Sequence, residues 1–241
     1  MNWIKPDWPA PTHIHAAVTL RSGGVSTGNF ASLNPASHVQ DIPEHVTTNR
    51  QIIKDGLNLP AEPIWLQQVH GVNVVKADLA SAVETADASY TAQRGVVCTV
   101  LTADCLPVLF CGDDGQTIAA AHAGWRGLQA GILEATIKAM QCQKVLVWFG
   151  PAIGPDHFEV GDEVRDAFVS ADTACAVAFR RTLPNKWLAN IYQLASIRLH
   201  RLGIGQIYGG NLCTVADPQR FYSYRRDGQA TGRMASLIWS E

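Results

Sequence analysis

The 241-residue sequence has no long apolar run: its most hydrophobic stretches, such as Val96–Leu101 and Ile118–Ala121, are only the length of a strand. A helix that crosses a bilayer needs roughly 20 consecutive apolar residues, so no membrane span is expected. The opening segment Met1-Asn2-Trp3-Ile4-Lys5-Pro6 lacks a basic flank leading into an apolar core, so a secretory leader is not expected either. Runs of like charge are missing, and the formal net charge is −2. Nucleic-acid binders carry a basic face to neutralise phosphates, so a polyanionic partner is not expected. None of the six cysteines (Cys98, Cys105, Cys111, Cys142, Cys175 and Cys213) has CxxC spacing. In a chain of this length they do not read as the disulfide framework of a short secreted domain, and most are expected to be small buried hydrophobes. Internal repeats, low-complexity tracts and Ser/Gly/Pro linkers are absent too. What is present is a chain 47% hydrophobic and 17% charged, which suffices for a sizeable core. It reads as a soluble, cytoplasmic protein with a single domain over 1–241.

The order of elements narrows the fold. A strand is predicted over Ala16–Arg21, then a glycine-bearing loop from Gly23 to Gly28. A helix is predicted from Pro43 to near Gly56, with Val46, Ile52 and Ile53 facing inward. Ile64–Leu66 and Val72–Lys76 read as partnered strands on either side of Gln67–Gly71. Val96–Leu101 and Val108–Cys111 read as an outgoing and a returning strand, joined through Thr102-Ala103-Asp104-Cys105 and punctuated by Pro107. A turn at Asp113-Asp114-Gly115 leads into strand Thr117–His122, after which Gly124 and Gly127 open a helix to about Gln141. Strand Lys144–Phe149, the loop Gly150–Pro155, helices Asp162–Ser170 and Trp187–Leu202, and strands Ile207–Tyr208, Phe221–Arg225 and Met234–Trp239 follow. Strands in runs with helices between them do not make a regular βαβ wind. They imply an α+β (mixed α/β) layered sandwich with mixed sheets.

Three segments place a metal-binding side chain beside a predicted strand end: Gln68-Val69-His70-Gly71, Thr102-Ala103-Asp104-Cys105-Leu106-Pro107 and Ala121-His122-Ala123-Gly124-Trp125-Arg126-Gly127. Such loops are where a rigid scaffold displays functional groups. Two imidazoles and a thiolate suit zinc, and three protein ligands leave a fourth position for water or substrate. His70, Cys105 and His122 are thus candidate metal ligands and catalytic residues. The same atoms can instead form a Cys–His nucleophile pair, with His70 or His122 taking the proton from Cys105. Both arrangements need a lowered thiol pKa, so the sequence leaves them open.

The turn at Gly124–Gly127 exposes backbone N–H groups and a positive helix end to a small anion, and Arg126 adds a bidentate donor. The glycines equally permit tight strand-to-helix packing. Arg50, on the first helix, and Arg225, beside Arg226, are further candidate substrate contacts, although arginines at a strand edge also simply face solvent. Arg21, near Gly23-Gly24, is similarly open. Gln68 and Asp104 adjoin the ligand motifs and are candidate substrate contacts; with Glu159 they are candidate proton carriers. His13 and His15 form the one HxH pair among eight histidines. A multicopper oxidase gathers several such pairs, so copper is the less favoured metal.

Taken together, Thr19–Ser26 and Ser32-Leu33-Asn34, Trp65–Gly71, Ala86-Asp87-Ala88, Thr102–Phe110, Ala120–Gly127, Gly150–Pro155, Phe158–Gly161 and Phe221–Gly232 resemble, in order, the YfiH family, long described as laccase-domain or polyphenol oxidase proteins. The resemblance spans nearly the whole chain and implies a YfiH-like layered sandwich. It implies zinc on His70, Cys105 and His122. It implies phosphorolysis of adenosine, inosine, guanosine and methylthioadenosine to base and pentose 1-phosphate, with adenosine deamination besides. The expected partners are those small molecules, purine nucleosides and phosphate, meeting a monomer or weak homodimer. Two other activities have been ascribed to the family: an amidase on peptidoglycan precursors, working as a cysteine or zinc hydrolase, and a copper-dependent phenol oxidase. The sequence departs from relatives at Asn34-Pro35-Ala36-Ser37-His38, where a leucine-glycine pair is usual, which leaves that loop's part in the pocket open. The HxE…PCxxC pattern of known zinc deaminases is absent, so deamination here would be a separate chemical solution.

Overall fold

The computed structural model describes residues 3–80 and 83–241; Met1 and Asn2 of the opening segment lie outside the described residues. Strands β1 (Trp3–Ile4) and β2 (Ile14–Thr19) come first. Helix α1 (Pro43–Gly56) has proline at its first position, where no intrahelical donor is lost, and turns Val46 and Ile53 into the core. Short β3 (Val74–Lys76) and β4 (Ala88–Thr91) precede β5 (Val97–Thr102), β6 (Leu106–Gly112) and β7 (Ile118–Ala123). After β7 come two helices, α2 (Trp125–Ala130) and α3 (Ile132–Met140), where the sequence pattern predicts one. They part at Gly131, whose φ of 106° ends one helix and opens the next. Then follow β8 (Val145–Phe149), β9 (Glu159–Gly161), α4 (Asp162–Ala171), β10 (Phe179–Leu183), β11 (Lys186–Ala189), α5 (Ile191–Arg201), β12 (Ile207–Gly209), the single-turn α6 (Tyr224–Asp227) and β13 (Met234–Ser240).

Every residue of β5, β6 and β7 is buried, and the period of two explains how. The six-stranded mixed sheet runs β12-β8-β6-β7-β4-β3, and the four-stranded antiparallel sheet runs β1-β2-β13-β5. Along β6, Val108 and Phe110 face one core with Leu133, Phe168 and Leu194 from the helices, while Leu109 and Cys111 face a second core with Val18, Val100 and Ile238 of the smaller sheet. Strand β13 repeats the pattern. Met234 and Ile238 join that second core, and Ala235, Leu237 and Trp239 pack on a third with Ile53 of α1. The layers are therefore helix, sheet, sheet, helix, the mixed α/β sandwich that the sequence order implies. A small third sheet, β10-β11-β9, flanks them. No helix among the described residues is long and apolar enough to cross a membrane.

Four local expectations are corrected. Ile64–Leu66 makes no strand pair with Val72–Lys76; Ile64 only bridges Cys98, and β3 lies parallel to β4. β5 and β6 are not a hairpin: one belongs to each large sheet, and Thr102–Cys105 carries the chain across the sandwich. The helix expected over Trp187–Leu202 begins only at Ile191, because the Asn190 side chain accepts the Gln193 N–H as an N-cap and releases β11 to pair with β10 and β9. Phe221–Arg225 is not a strand, since Ser223 caps the short α6 by accepting from the Arg226 N–H.

Gly131 separates backbone strain from crowding. An added Cβ would have no neighbour nearer than 3.5 Å, yet φ is left-handed. Gly131→Ala is expected to cost about 1–2 kcal/mol in urea unfolding. Gly205→Ala, with open space around it and no such φ, should stay within about 0.5 kcal/mol of wild type.

Candidate metal centre and its cavity

The centre forms where the two large sheets part. His122 is the last residue but one of β7, Cys105 ends the crossover from β5 to β6, and His70 comes from the loop before β3. One buried side chain, Asp87, sets both histidines. Its carboxylate accepts from the backbone N–H groups of Val69 (3.3 Å), His70 (2.9 Å) and Gly71 (2.6 Å) and from His122 Nδ1 (2.8 Å). Three successive amides converging on one anion make a nest, and His70 adopts φ 61° to complete it. The Asp87 carbonyl also accepts from the His122 backbone N–H at 2.7 Å. Burial alone would raise the Asp87 pKa, but His122 and the amides more than offset it and hold the carboxyl below its ordinary range.

With Nδ1 engaged by Asp87, His122 has Nε2 free for the centre, the orientation that carboxylate–histidine pairs impose on metal ligands. One donor atom each from His70, Cys105 and His122 lies within 4.8 Å of the others. Cys105 Sγ stands 3.6 Å from His70 Nε2. For tetrahedral zinc, with Zn–S about 2.3 Å and Zn–N about 2.0–2.1 Å, that edge is about 3.5–3.6 Å. Gly124 keeps the space open, because a Cβ there would stand 2.6 Å from His70 Cδ2 and 3.0 Å from Cys105 Sγ. The donor set thus fits a metal ion of the zinc type.

Without a metal the same atoms form a charged pair. Burial pushes the Cys105 thiol up, but the His122 charge and hydrogen bonds to both histidines outweigh it, and its pKa falls to about 6. His122 is depressed by burial and raised more strongly by Cys105 and Asp87, reaching about 9. Cys98 and Cys111, buried without a cationic partner, are pushed up to about 12. All six cysteines are free.

The centre opens on a cavity of about 470 Å³. Gln68, Asp104, Arg126 and Arg225 line it, and so do His38, Trp125, Phe158, Tyr224 and Arg233, none of which stands out in the sequence as a binding residue. Not all of the polar ends are available. The Gln68 amide is used at both ends by Leu101, donating to its carbonyl (2.8 Å) and accepting its N–H (2.7 Å). The Asp104 carboxylate accepts from Thr214 Oγ1, Ser223 Oγ and the Arg225 N–H, which pins the Arg225 turn to the wall. Both terminal nitrogens of Arg225 donate to the carbonyls of His157 and Glu159. Arg126 lies over the Trp125 ring at 4.4 Å. Arg50 does not line the cavity: it stacks on Trp65 and donates to the Pro35 carbonyl, behind the loop that carries His38. Other polar groups are structural. His13 binds the Gly115 carbonyl, His15 stacks on Trp239, and Arg21 lies over Tyr222.

A two-sheet α/β sandwich with a His–His–Cys centre at the mouth of its sheets defines the class. The family model described as "multi-copper polyphenol oxidoreductase laccase" matches residues 15–241. Over 98% of both chains, the protein is 54% identical to the purine nucleoside phosphorylase PA4543 of Pseudomonas aeruginosa, and over 98% of both it is 51% identical to the purine nucleoside phosphorylase YfiH of Escherichia coli. Protein NMB0706 of Neisseria meningitidis superposes with a TM-score of 0.96 at 48% identity over the full length of both chains. YlmD of Geobacillus stearothermophilus gives 0.93 at 30% identity, covering 100% of this chain and 97% of that one. The chain belongs to the YfiH family, the laccase-domain family of that model.

Two outcomes follow for the centre. In metal-stripped protein, Cys105 alkylation by iodoacetamide should rise with a midpoint near pH 6. The Cys105–His122 pair then contributes to stability between about pH 6 and about pH 9, losing it below as the thiolate protonates and above as His122 deprotonates. A midpoint at the ordinary thiol value would remove the pair. Asp87→Asn keeps the shape of the side chain but not its charge, and metal affinity measured by chelator competition should drop about 10–100-fold.

Proposed function

We propose that the protein is a zinc-dependent purine nucleoside phosphorylase acting on adenosine, inosine, guanosine and methylthioadenosine, and that the same centre deaminates adenosine. One observation carries the reading: the His70–Cys105–His122 donor set opens on a cavity of about 470 Å³ in a chain about half identical to proteins named purine nucleoside phosphorylase. Zinc, when bound, supplies Lewis acidity and lowers the pKa of a water at its fourth position.

The remaining work falls to the chain. In phosphorolysis a phosphate oxygen bonds to C1′ of the ribose while the C1′–N9 bond breaks, and the purine leaves with the electron pair. Trp125, Phe158 and Tyr224 line the cavity and offer flat faces to a purine. Arg126, stacked on Trp125, meets negative charge as it builds on the departing base. Gln68 acts by position, locking the end of β5 beside the His70 loop. Asp104 and Arg225 form a braced wall, so Arg225 contributes shape and field more than a direct contact.

The donor inventory bears on the older oxidase reading. Among the described residues, His70, Cys105 and His122 form the one group of three or more such donors within reach of each other. That holds a single ion, not the several coppers in the family model's description. The Cys105–His122 pair favours one second reading, a cysteine hydrolase of amide bonds such as those of peptidoglycan precursors, because a thiolate near neutral pH is a nucleophile.

Metal analysis paired with a phosphate-dependent adenosine assay tests the proposal. Wild type should hold about one zinc per chain and release adenine and ribose 1-phosphate only with phosphate present. Cys105→Ala should lose zinc and at least about a hundredfold in kcat/KM. Bound zinc with no nucleoside turnover, alongside release of an amine from a muropeptide, would replace the phosphorylase by the amidase.

A further inference from the structure

The cavity is lined by three guanidinium groups and a single carboxylate. Asp104, the carboxylate, is occupied by two hydroxyls and a backbone N–H. The balance therefore favours an anion, and the arginines differ in what they have left to give. Arg225 is consumed by two backbone carbonyls. Arg126 lies over Trp125 on the exposed side of the cavity, with its guanidinium N–H groups unpaired among the described residues. Arg233 uses one nitrogen only: Nη1 donates to the Thr231 and Gly232 carbonyls, at 2.7 and 3.0 Å, while Nε and Nη2 have no hydrogen-bond partner among the described residues. A guanidinium held along one edge presents the other edge as a fork.

Register fixes where that fork sits. Met234 pairs with Thr102, so Arg233 is the next residue beyond the ladder, beside the crossover that carries Asp104 and Cys105. Its surroundings agree. Burial lowers the Arg233 pKa, and the charges of Cys105, Asp104 and Tyr224 oppose that shift. On the same side stands His38, which lines the cavity and has no hydrogen-bond partner for its ring among the described residues. Partial burial and the charges of Arg233, Arg50 and His122 lower its pKa, so it faces the same positive field.

One buried amide joins the two. Asn34 accepts the Arg233 backbone N–H (3.0 Å) and the Ala36 N–H (3.1 Å) through Oδ1, and donates through Nδ2 to the Ala36 carbonyl (3.2 Å) and to Asp41 (2.9 Å). All four bonding capacities of the side chain are used. The loop that carries His38 and the residue that opens β13 are thereby held as a unit. This gives the Asn34–His38 segment, open in the sequence, a place in the cavity wall.

We propose that Arg233 and His38 form an oxyanion-binding subsite of the cavity, positioned by Asn34, and that its ligand is the phosphate co-substrate. The identity of the ligand rests on the phosphorylase reading, whereas the oxyanion chemistry does not. Arg233 binds two phosphate oxygens through Nε and Nη2, and neutral His38 gives one ring hydrogen bond.

Calorimetry on the metal-loaded protein separates the possibilities, using inorganic phosphate and a nucleoside 5′-monophosphate as independent probes. Arg233→Gln is expected to weaken phosphate binding by about tenfold or more, with Arg233→Lys recovering part of the loss because a point charge replaces the fork. His38→Ala is expected to weaken it by a smaller factor. Where nucleoside turnover is present, the phosphate KM should rise by about tenfold with the nucleoside KM within about twofold. Metal content and melting temperature of Arg233→Lys check that the wall is intact. Arg233-dependent phosphate binding in a protein without phosphorolysis would leave the subsite standing while the phosphorylase reading falls. Arg233-dependent binding of the monophosphate alone would also support the subsite, and would put the oxyanion on the organic substrate. If both probes bind Arg233→Gln as they bind wild type, or neither binds wild type, the subsite is wrong.

Discussion

The buried carboxylate of Asp87 is the constraint on which the centre depends. It binds three consecutive amides of the His70 loop and the Nδ1 of His122. An uncompensated charge in that position would be costly, and here each lone-pair direction has a donor. The consequence is geometric. The nest of amides bends the chain so that the His70 ring turns back toward Cys105, and the imidazole of His122 is fixed with its Nε2 pointing the same way. Neither histidine needs a neighbour in sequence to be held in place. Asp87, on the residue before β4, ties both to one strand.

The layers set the larger frame. Because β5 and β6 lie in different sheets, the three residues between them must cross the gap at the end of the sandwich, and Asp104 adopts φ 91° in doing so. Crossing exposes what a hairpin would hide. Cys105 is delivered to the mouth of the two sheets, where His122 is the last residue but one of β7 and β13 begins after Arg233. Asp104, turned the other way, gathers Thr214, Ser223 and the Arg225 N–H and seals the wall opposite. The cavity is thus a product of the sheet-to-sheet transfer, and its floor is as rigid as the buried strands beneath it.

Much of this was legible in the sequence where a local rule governs. The helix from Pro43 to Gly56 and strands near 97–102, 106–112, 118–123 and 234–240 follow from apolar period and punctuation. Three ligand motifs at strand ends were visible for the same reason. Pairing partners were not, because a buried run of Val, Leu and Ala carries no mark of which sheet it joins; hence the hairpin expected at Thr102–Cys105. Boundaries set by one capping side chain, as at Asn190 and Ser223, carry no periodic mark in the sequence. Asp87 appears in the sequence only as the centre of Ala86-Asp87-Ala88, with no spacing to connect it to His122. Arg233 and His38 gave no signal, since an arginine before a strand and a histidine in a polar loop are ordinary until register brings them together.

The two states of the centre are two uses of one set of charges. Without metal, His122 keeps its proton because a thiolate and a carboxylate face it, and Cys105 loses its proton because His122 has kept it. His70, Cys105 and His122 would hold a metal ion with the thiol deprotonated and His122 neutral, so its affinity would rise with pH as His122 loses its proton. Asp87, which stabilises the imidazolium, would then orient and polarise the neutral imidazole as a ligand. A family description that speaks of several coppers does not settle the chemistry, because fold alone does not fix it. What fixes it is the donor set and what opens in front of it: one thiolate, two imidazoles and a positively charged cavity. That combination offers a metal ion three donors and leaves unneutralised positive charge in the cavity beside them.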